Sequence, residues 1–369
     1  MTAPHAGRAT PAGTRALAER HPAASFYRRG WDDLTVSSVG LGTYLGEPDD
    51  ATDERYAAAV LRYLALGGNL IDTAINYRFQ RSERAIGAAL QTALAVGEAS
   101  RAEVIVCTKG GYLPFDGGWP VDPDQWILDT VIGPGLAQPE EIVDGHCMAP
   151  AYLRQQISQS RRNLQLACID LYYVHNPEGQ RAALGDEVFR HRLREAFAAL
   201  EVAVAQGHIG AYGVATWDGF RAALDTPGYL ALQAILEVAR DVSGERHHLR
   251  AIQLPINFQM VEAATRRNQP TARGLASVLE AAAELGVTVM ASAPLLQGRL
   301  LGRLPDSLRA HFDSSLDDAG RAVQFVRSTP GVTAALAGMS RVEHVDHNLQ
   351  LRDLAPIDTA AWRAIFQKA

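Results

Sequence analysis

The chain alternates short apolar runs with longer amphipathic segments eight times over, and few architectures accept that pattern. The apolar runs fall at 38–43, 69–74, 104–109, 169–175, 209–216, 251–258, 287–294 and 332–338. Each is short and almost continuously apolar, as expected for a strand covered on both faces. Segments with helical periodicity lie between them at 53–66, 82–94, 150–164, 186–206, 220–224, 271–285, 317–328 and 342–351, with a terminal one at 358–367. Glycines at Gly67, Gly207 and Gly286 stand where helix C-termini favour them. Eight strand–helix units predict an α/β fold, a (β/α)8 TIM barrel, with a doubly wound open sheet as the competing arrangement. No composition break divides residues 31–369, so a single barrel domain is expected there, with long loops at its C-terminal face. Residues 1–30, rich in alanine, read as a flexible leader.

Composition narrows the function classes. Forty-seven per cent hydrophobic residues in 369 are ample for a large core, and 41 acidic against 35 basic residues give a net charge of −6. That balance argues against nucleic acid as a partner. No apolar run approaches the roughly 20 residues of a membrane span, and the leader lacks the apolar block of a secretory signal. A cytoplasmic protein without membrane contacts is expected, and nothing in the sequence specifies an oligomeric state. Cys107, Cys147 and Cys168 are too widely spaced for a CxxC motif, and the pair His146-Cys147 has no second pair to complete a metal site, so no metal is expected.

One connection is out of proportion. Residues 110–149, about 40 of them, separate the third strand from its helix, far more than such loops need. Tyr112, Phe115, Trp119 and Trp126 populate it, so it is expected to cover substrate at the barrel mouth, a packing insertion being the bland reading. The segment 226–250, with His247 and His248, is expected to border the same pocket.

Chemistry concentrates at strand ends. Asp72 ends the second strand, Tyr77 follows it, Lys109 ends the third and His175 the fourth. Taken singly each has a structural reading, as a turn cap, a loop aromatic or a buried histidine. In a barrel, however, neighbouring strand ends converge on one face, so the four share a pocket. An ammonium beside a phenol favours the phenolate, and Asp72 keeps that ammonium charged. A Tyr–Lys–Asp chain is therefore a tunable proton donor or acceptor, and His175 can orient a carbonyl oxygen. The arrangement suits a carbonyl that receives a hydride from elsewhere.

The motifs GLGTY (40–44), NLIDTAINY (69–77), SERAIG (82–87), CTKGG (107–111), YYVHNPE (172–178), IGAYGVATW (209–217), IQLPINF (252–258), MASAPLLQGRL (290–300) and GMSRVEHVDHNL (338–349) resemble, in this order, the aldo-keto reductase superfamily. MASAPLLQGRL is similar to its aldose-dehydrogenase-like branch. The resemblance implies an NAD(P)(H)-dependent oxidoreductase interconverting a carbonyl (aldehyde, ketone or sugar) and an alcohol, with Asp72, Tyr77, Lys109 and His175 as the catalytic tetrad. It implies NADP(H) as the favoured cofactor, NAD(H) being possible, and a small-molecule carbonyl or alcohol as the partner. Gly42, Thr43, Tyr44 and Asp72 would lie along the cofactor, Gln253 and Thr216 would hold the carboxamide, and Pro294, Leu295, Gln297 and Gly298 would approach the pyrophosphate. Ser340, Arg341, His344 and Asn348 would hold the adenosine end, with Arg341 on a 2′-phosphate. Tyr112, Trp119, Trp126, Asn176 and Trp217 are the expected substrate contacts.

The sequence also departs from the family pattern. Ala215-Thr216 replaces the usual Ser-Asn after the fifth strand, Ser292-Ala293 replaces the aromatic that stacks on the nicotinamide, and His344 and His347 stand where Arg and an acid are common. A cofactor-binding regulatory or partner protein on the same barrel, with little turnover, is the competing function. The string GLGTYLG is a poor dinucleotide fingerprint, because it runs into Glu47-Pro48-Asp49-Asp50 and not into a helix.

Overall fold

The computed structural model of the chain describes residues 4–23 and 25–366. Eight parallel strands close into a barrel: β1 Val39–Gly42, β2 Leu70–Asp72, β3 Ile105–Gly110, β4 Ile169–His175, β5 Ile209–Ala215, β6 Leu249–Pro255, β7 Thr288–Ser292 and β8 Ala334–Gly338. The main outer helices are α1 Asp50–Ala65, α2 Arg81–Ala95, α3 Pro150–Leu164, α4 Asp186–Ala205, α5 Leu232–Ser243, α6 Val278–Leu285, α7 Asp318–Ser328 and α8 Val342–Leu349. Their starts follow local chemistry. Asp49 accepts from the Thr52 amide ahead of α1, Ser277 and Glu280 form a capping box on α6, and Asp317 accepts from the Gly320 amide ahead of α7. Among the described residues no helix is long and apolar enough to cross a membrane.

Most of the core lies between the barrel and its helices, where residues such as Val60, Ile86, Phe197 and Val323 are fully buried. A second cluster fills the barrel interior: Tyr173 and Met290 sit among the alanines 211, 215, 251 and 334, above a floor of Ala9, Trp31, Leu34 and Val36.

That floor corrects one expectation. The supposed leader is structured: residues Pro11–Arg20 form a helix capped by Thr10, and Tyr27–Arg29 pairs antiparallel with Thr35–Ser37. The Ala9 amide donates to Asp170 Oδ1 at 2.7 Å, which docks the segment against β4. Alanine-rich composition left this open, because partners of the segment such as Ala102, Glu103 and Asp170 are far away in sequence. Residues 1–3 of the leader lie outside the described residues.

Three helix expectations also change. Residues 220–224 form turns, and the helix of that unit is α5, which starts twelve residues after 220. The stretch 271–285 opens with a hairpin, Gln269–Thr271 against Gly274–Ala276, and becomes helical only at α6. The last helix is Thr359–Ala364, and Gln367 lies outside the described residues. His247 and His248 precede β6 at the barrel floor, where His248 Nδ1 meets Glu201 Oε2 at 2.7 Å, so they do not border the pocket.

Candidate active site

Parallel register stacks the reactive residues. Gly42 pairs with Asp72, and Asp72 with Cys107. Strand β3 runs on to Gly110, so Lys109 shares the face of Cys107 one step higher, since side chains repeat every second residue. Lys109 Nζ donates to Asp72 Oδ1 at 2.6 Å and to the Thr73 carbonyl at 2.7 Å. Gln253 Nε2 donates to Asp72 Oδ2 at 2.8 Å, so both carboxylate oxygens are engaged. Nζ lies 5.0 Å from the centre of the Tyr77 ring. That ring meets Tyr44 edge-on at 5.0 Å and His175 at 5.9 Å.

The charges follow from this packing. Burial pushes the Tyr77 phenol above its ordinary value and the Lys109 charge works against that rise. Burial also disfavours the Lys109 ammonium, but Asp72 and Tyr77 outweigh it and the net displacement is upward. Burial, then Lys109 and His146, hold the His175 imidazole well below its ordinary value. At neutral pH the site thus holds a lysine cation, a protonated tyrosine and an uncharged histidine.

Tyr77 is carried on an unusual turn. Arg78, Phe79 and Gln80 all have left-handed backbones, with φ of 49°, 56° and 70°, a conformation that costs non-glycine residues of order 1 kcal/mol each. Arg78 is buried and donates to the Glu47 carbonyl at 2.9 Å and to Asp53 Oδ1 at 2.5 Å, and its guanidinium lies 5.3 Å from the centre of the Tyr56 ring. The long connection braces the same turn through Gly117 N–H to the Phe79 carbonyl and Gln80 Nε2 to the Pro114 carbonyl.

A cavity of about 890 Å3 extends from this cluster to α8, within the size range of cofactor sites. Of the expected cofactor residues, Gly42, Thr43, Tyr44, Asp72, Thr216, Gln253, Pro294, Leu295, Gln297, Gly298, Ser340, His344 and Asn348 all line it. Arg341 is exposed at the α8 N-cap, outside the lining. Tyr112, Asn176 and Trp217 line the cavity, whereas Trp119 and Trp126 pack on Phe115, with ring centres at 5.0 and 4.8 Å, and take no part in it. The middle of the long connection therefore makes its own apolar cluster, because its aromatics find one another first. Sequence reasoning passed over Tyr56, Asn76, Leu301 and Asp317 in the lining. Asn76 was legible as the neighbour of Tyr77, but Tyr56 sits on a helix and carried no strand-end signal.

The lining suits a dinucleotide. Thr216 is buried and its Oγ1 has no hydrogen-bond partner, an uncompensated polar group of the kind a carboxamide satisfies. The N-terminus of α8 has no side-chain cap, leaving amides and helix dipole to meet an anion. Ser292 and Ala293 leave a wall without an aromatic ring at the end of β7, while Trp217 lines the cavity with its amide held by Glu178 Oε1 at 2.7 Å.

Residues 38–369 match the profile of the aldo/keto reductase family, and the chain belongs to that family of oxidoreductases. A D-threo-aldose 1-dehydrogenase of a Pseudomonas species is 26% identical over 333 residues, covering 86% of this chain and 89% of its own. An uncharacterised oxidoreductase of Mycobacterium tuberculosis is 27% identical over 330 residues, covering 86% and 85%. Among solved structures, an aldo-keto reductase of Bacillus halodurans in its holo form superposes with a TM-score of 0.62 at 22% identity, covering 92% of this chain and 95% of its own. One from Klebsiella pneumoniae in complex with NADPH gives 0.61 at 20%, covering 92% and 94%. These likenesses establish the barrel architecture.

Proposed function

We propose that the protein is an NADP(H)-dependent oxidoreductase that interconverts a carbonyl and an alcohol. The observation that carries the reading is the Asp72–Lys109–Tyr77 chain facing His175 at one end of a cavity long enough for a dinucleotide. A nicotinamide bound there supplies or accepts the hydride. Gln253 and Thr216 would hold its carboxamide, the 294–298 turn would meet the pyrophosphate, and Ser340, His344 and Asn348 would hold the adenosine end. Arg341, exposed at the α8 N-cap, would close on a 2′-phosphate from outside the lining.

In the reducing direction Tyr77 Oη gives its proton to the carbonyl oxygen, and Lys109 stabilises the phenolate left behind. Asp72 keeps Lys109 charged and fixed. Neutral His175 donates a hydrogen bond that orients the oxygen. Oxidation of the alcohol runs the same proton backwards.

The reactive end also limits the substrate. Tyr44, Tyr112 and Trp217 form its walls, Asn76 and Asn176 offer amides, and among the described residues no lysine or arginine lines the cavity. An anionic substrate would be desolvated there without a counter-charge. An uncharged, ring-shaped polyhydroxylated carbonyl fits best, in line with the sugar-acting name of the Pseudomonas relative. The deciding experiment is Tyr77→Phe with calorimetric titration of NADPH and NADH. Turnover on a panel of aldoses and neutral aldehydes should fall at least 100-fold while NADPH binding is kept and exceeds that of NADH. Near-normal turnover in that variant overturns the proposal.

A further inference from the structure

His175 is held in a way its own side chain does not explain. Its Nδ1 is buried without a hydrogen-bond partner, so no acceptor orients the ring. The ring is packed edge-on between Tyr77 and Tyr112, with centres at 5.9 and 5.2 Å. Asn176, next along the chain, has a left-handed backbone at φ 47°. On one side the β4–β5 ladder holds the main chain, with the Asn176 amide donating to the Ala215 carbonyl at 2.6 Å, and a second support lies outside the sheet.

The far end of the long connection supplies it. His146 is buried, and its Nε2 lies 2.6 Å from the His175 carbonyl oxygen. A carbonyl only accepts, so Nε2 carries the proton. On the other side of the ring, Gln180 Nε2 lies 3.1 Å from His146 Nδ1 and donates to the His146 carbonyl at 3.0 Å. Arg192 Nη1 donates to Gln180 Oε1 at 3.0 Å, which fixes that amide's orientation and makes Nδ1 the acceptor. Burial brings the His146 imidazole down to about 4, so it stays neutral across the working range. Space is reserved for the contact: a Cβ on Gly111, whose φ is +136°, would lie 2.4 Å from His146 Nε2. The Cys147 amide donates to the Gly111 carbonyl at 2.8 Å and locks the two ends of the connection together.

We propose that His146 is a positioning residue for His175: as a fixed Nε2–H donor, held by Gln180 and Arg192, it sets the backbone from which His175 reaches the substrate oxygen. The inference rests on the oxidoreductase reading above and deepens it. It also gives the long connection a role behind the catalytic histidine, at the rear wall of the pocket.

The test compares His146→Leu, which removes donor and acceptor at similar bulk, with His146→Gln, whose Nε2 reaches the same carbonyl. Misplacement of an orienting group by an ångström costs up to about 100-fold. In His146→Leu, kcat should fall about 10- to 100-fold at unchanged KM for NADPH, and His146→Gln should recover most of it. The His175 ring signal in nitrogen-15 histidine spectra, assigned by its loss in His175→Gln, should move in His146→Leu and return in His146→Gln. If His146→Leu does not fold, Gln180→Leu takes its place, with a smaller kcat loss and the same unchanged KM. A folded His146→Leu enzyme with wild-type kcat, a loss that glutamine does not restore, or an unmoved ring signal overturns the proposal. A wild-type protein that reduces no carbonyl counts against the oxidoreductase reading, and the ring signal then decides the positioning of His175 by itself.

Discussion

Replacing Lys109 with methionine probes the proton relay most directly. Lys109 Nζ sits 5.0 Å from the Tyr77 ring centre, and burial first, then the Asp72 charge, drives the phenol upward against it. At that separation and an effective dielectric of about 20, the ammonium favours the phenolate by roughly 3 kcal/mol. At about 1.4 kcal/mol per pH unit this equals roughly two pH units. The sign is fixed: a neighbouring cation lowers a tyrosine's pKa, so its removal raises it. In the proposed reaction alcohol oxidation needs Tyr77 deprotonated, so its rate should climb with pH and level off above the Tyr77 pKa. In Lys109→Met the same curve should be displaced upward by about two pH units, so the rate at pH 8 falls about 100-fold. The variant also leaves the Asp72 carboxylate with only the Gln253 amide, and breaking a buried pair costs about 3–5 kcal/mol. Folded fraction must therefore be measured alongside. A folded variant whose pH curve stays within half a unit of the wild type refutes the coupling of Lys109 to Tyr77.

Two further outcomes follow from the same geometry. Arg78→Met keeps the bulk but removes the Asp53 pair and the carbonyl bonds beneath the left-handed turn. Asp53 keeps Arg81 as a partner at 2.6 Å, so stability should fall by about 1–2 kcal/mol in denaturant titration, the worth of the lost hydrogen bonds, with a loss of kcat larger than the rise in KM for NADPH. Thr216→Val replaces a buried hydroxyl that has no protein partner, so thermal stability should hold or rise, while the NADPH Kd rises about 5- to 10-fold, the worth of one hydrogen bond.

The barrel, and the convergence of Asp72, Lys109 and His175 on one face of it, were legible in the sequence because both depend on strands. An apolar run of a few residues ending in Asp72, Lys109 or His175 declares both its burial and the face on which its last residue emerges. Helix α5 was misplaced because the turn at 220–224 has helical spacing by chance, whereas α5 itself follows a proline-glycine stretch. Trp119 and Trp126 look like substrate contacts in a linear reading, since only the folded loop shows that Phe115 claims them. His146 stood out only as half of an incomplete metal pair with Cys147, which says nothing of its contact with His175. Its meaning depends on Gly111, Gln180 and the His175 carbonyl, each brought to it by chain closure and not by spacing.

The left-handed turn after Tyr77 bears on how the sequence can drift. Glycine would accept this backbone without steric cost, yet Arg78 is tied to Asp53 and Tyr56, and Phe79 meets Trp119 with ring centres 5.8 Å apart. Neither residue can change alone without loosening the phenol it follows. In an alignment of near relatives, positions 53 and 78, and 79 and 119, should therefore vary in pairs. The turn would be recorded there as correlated substitution, even where no single position is invariant.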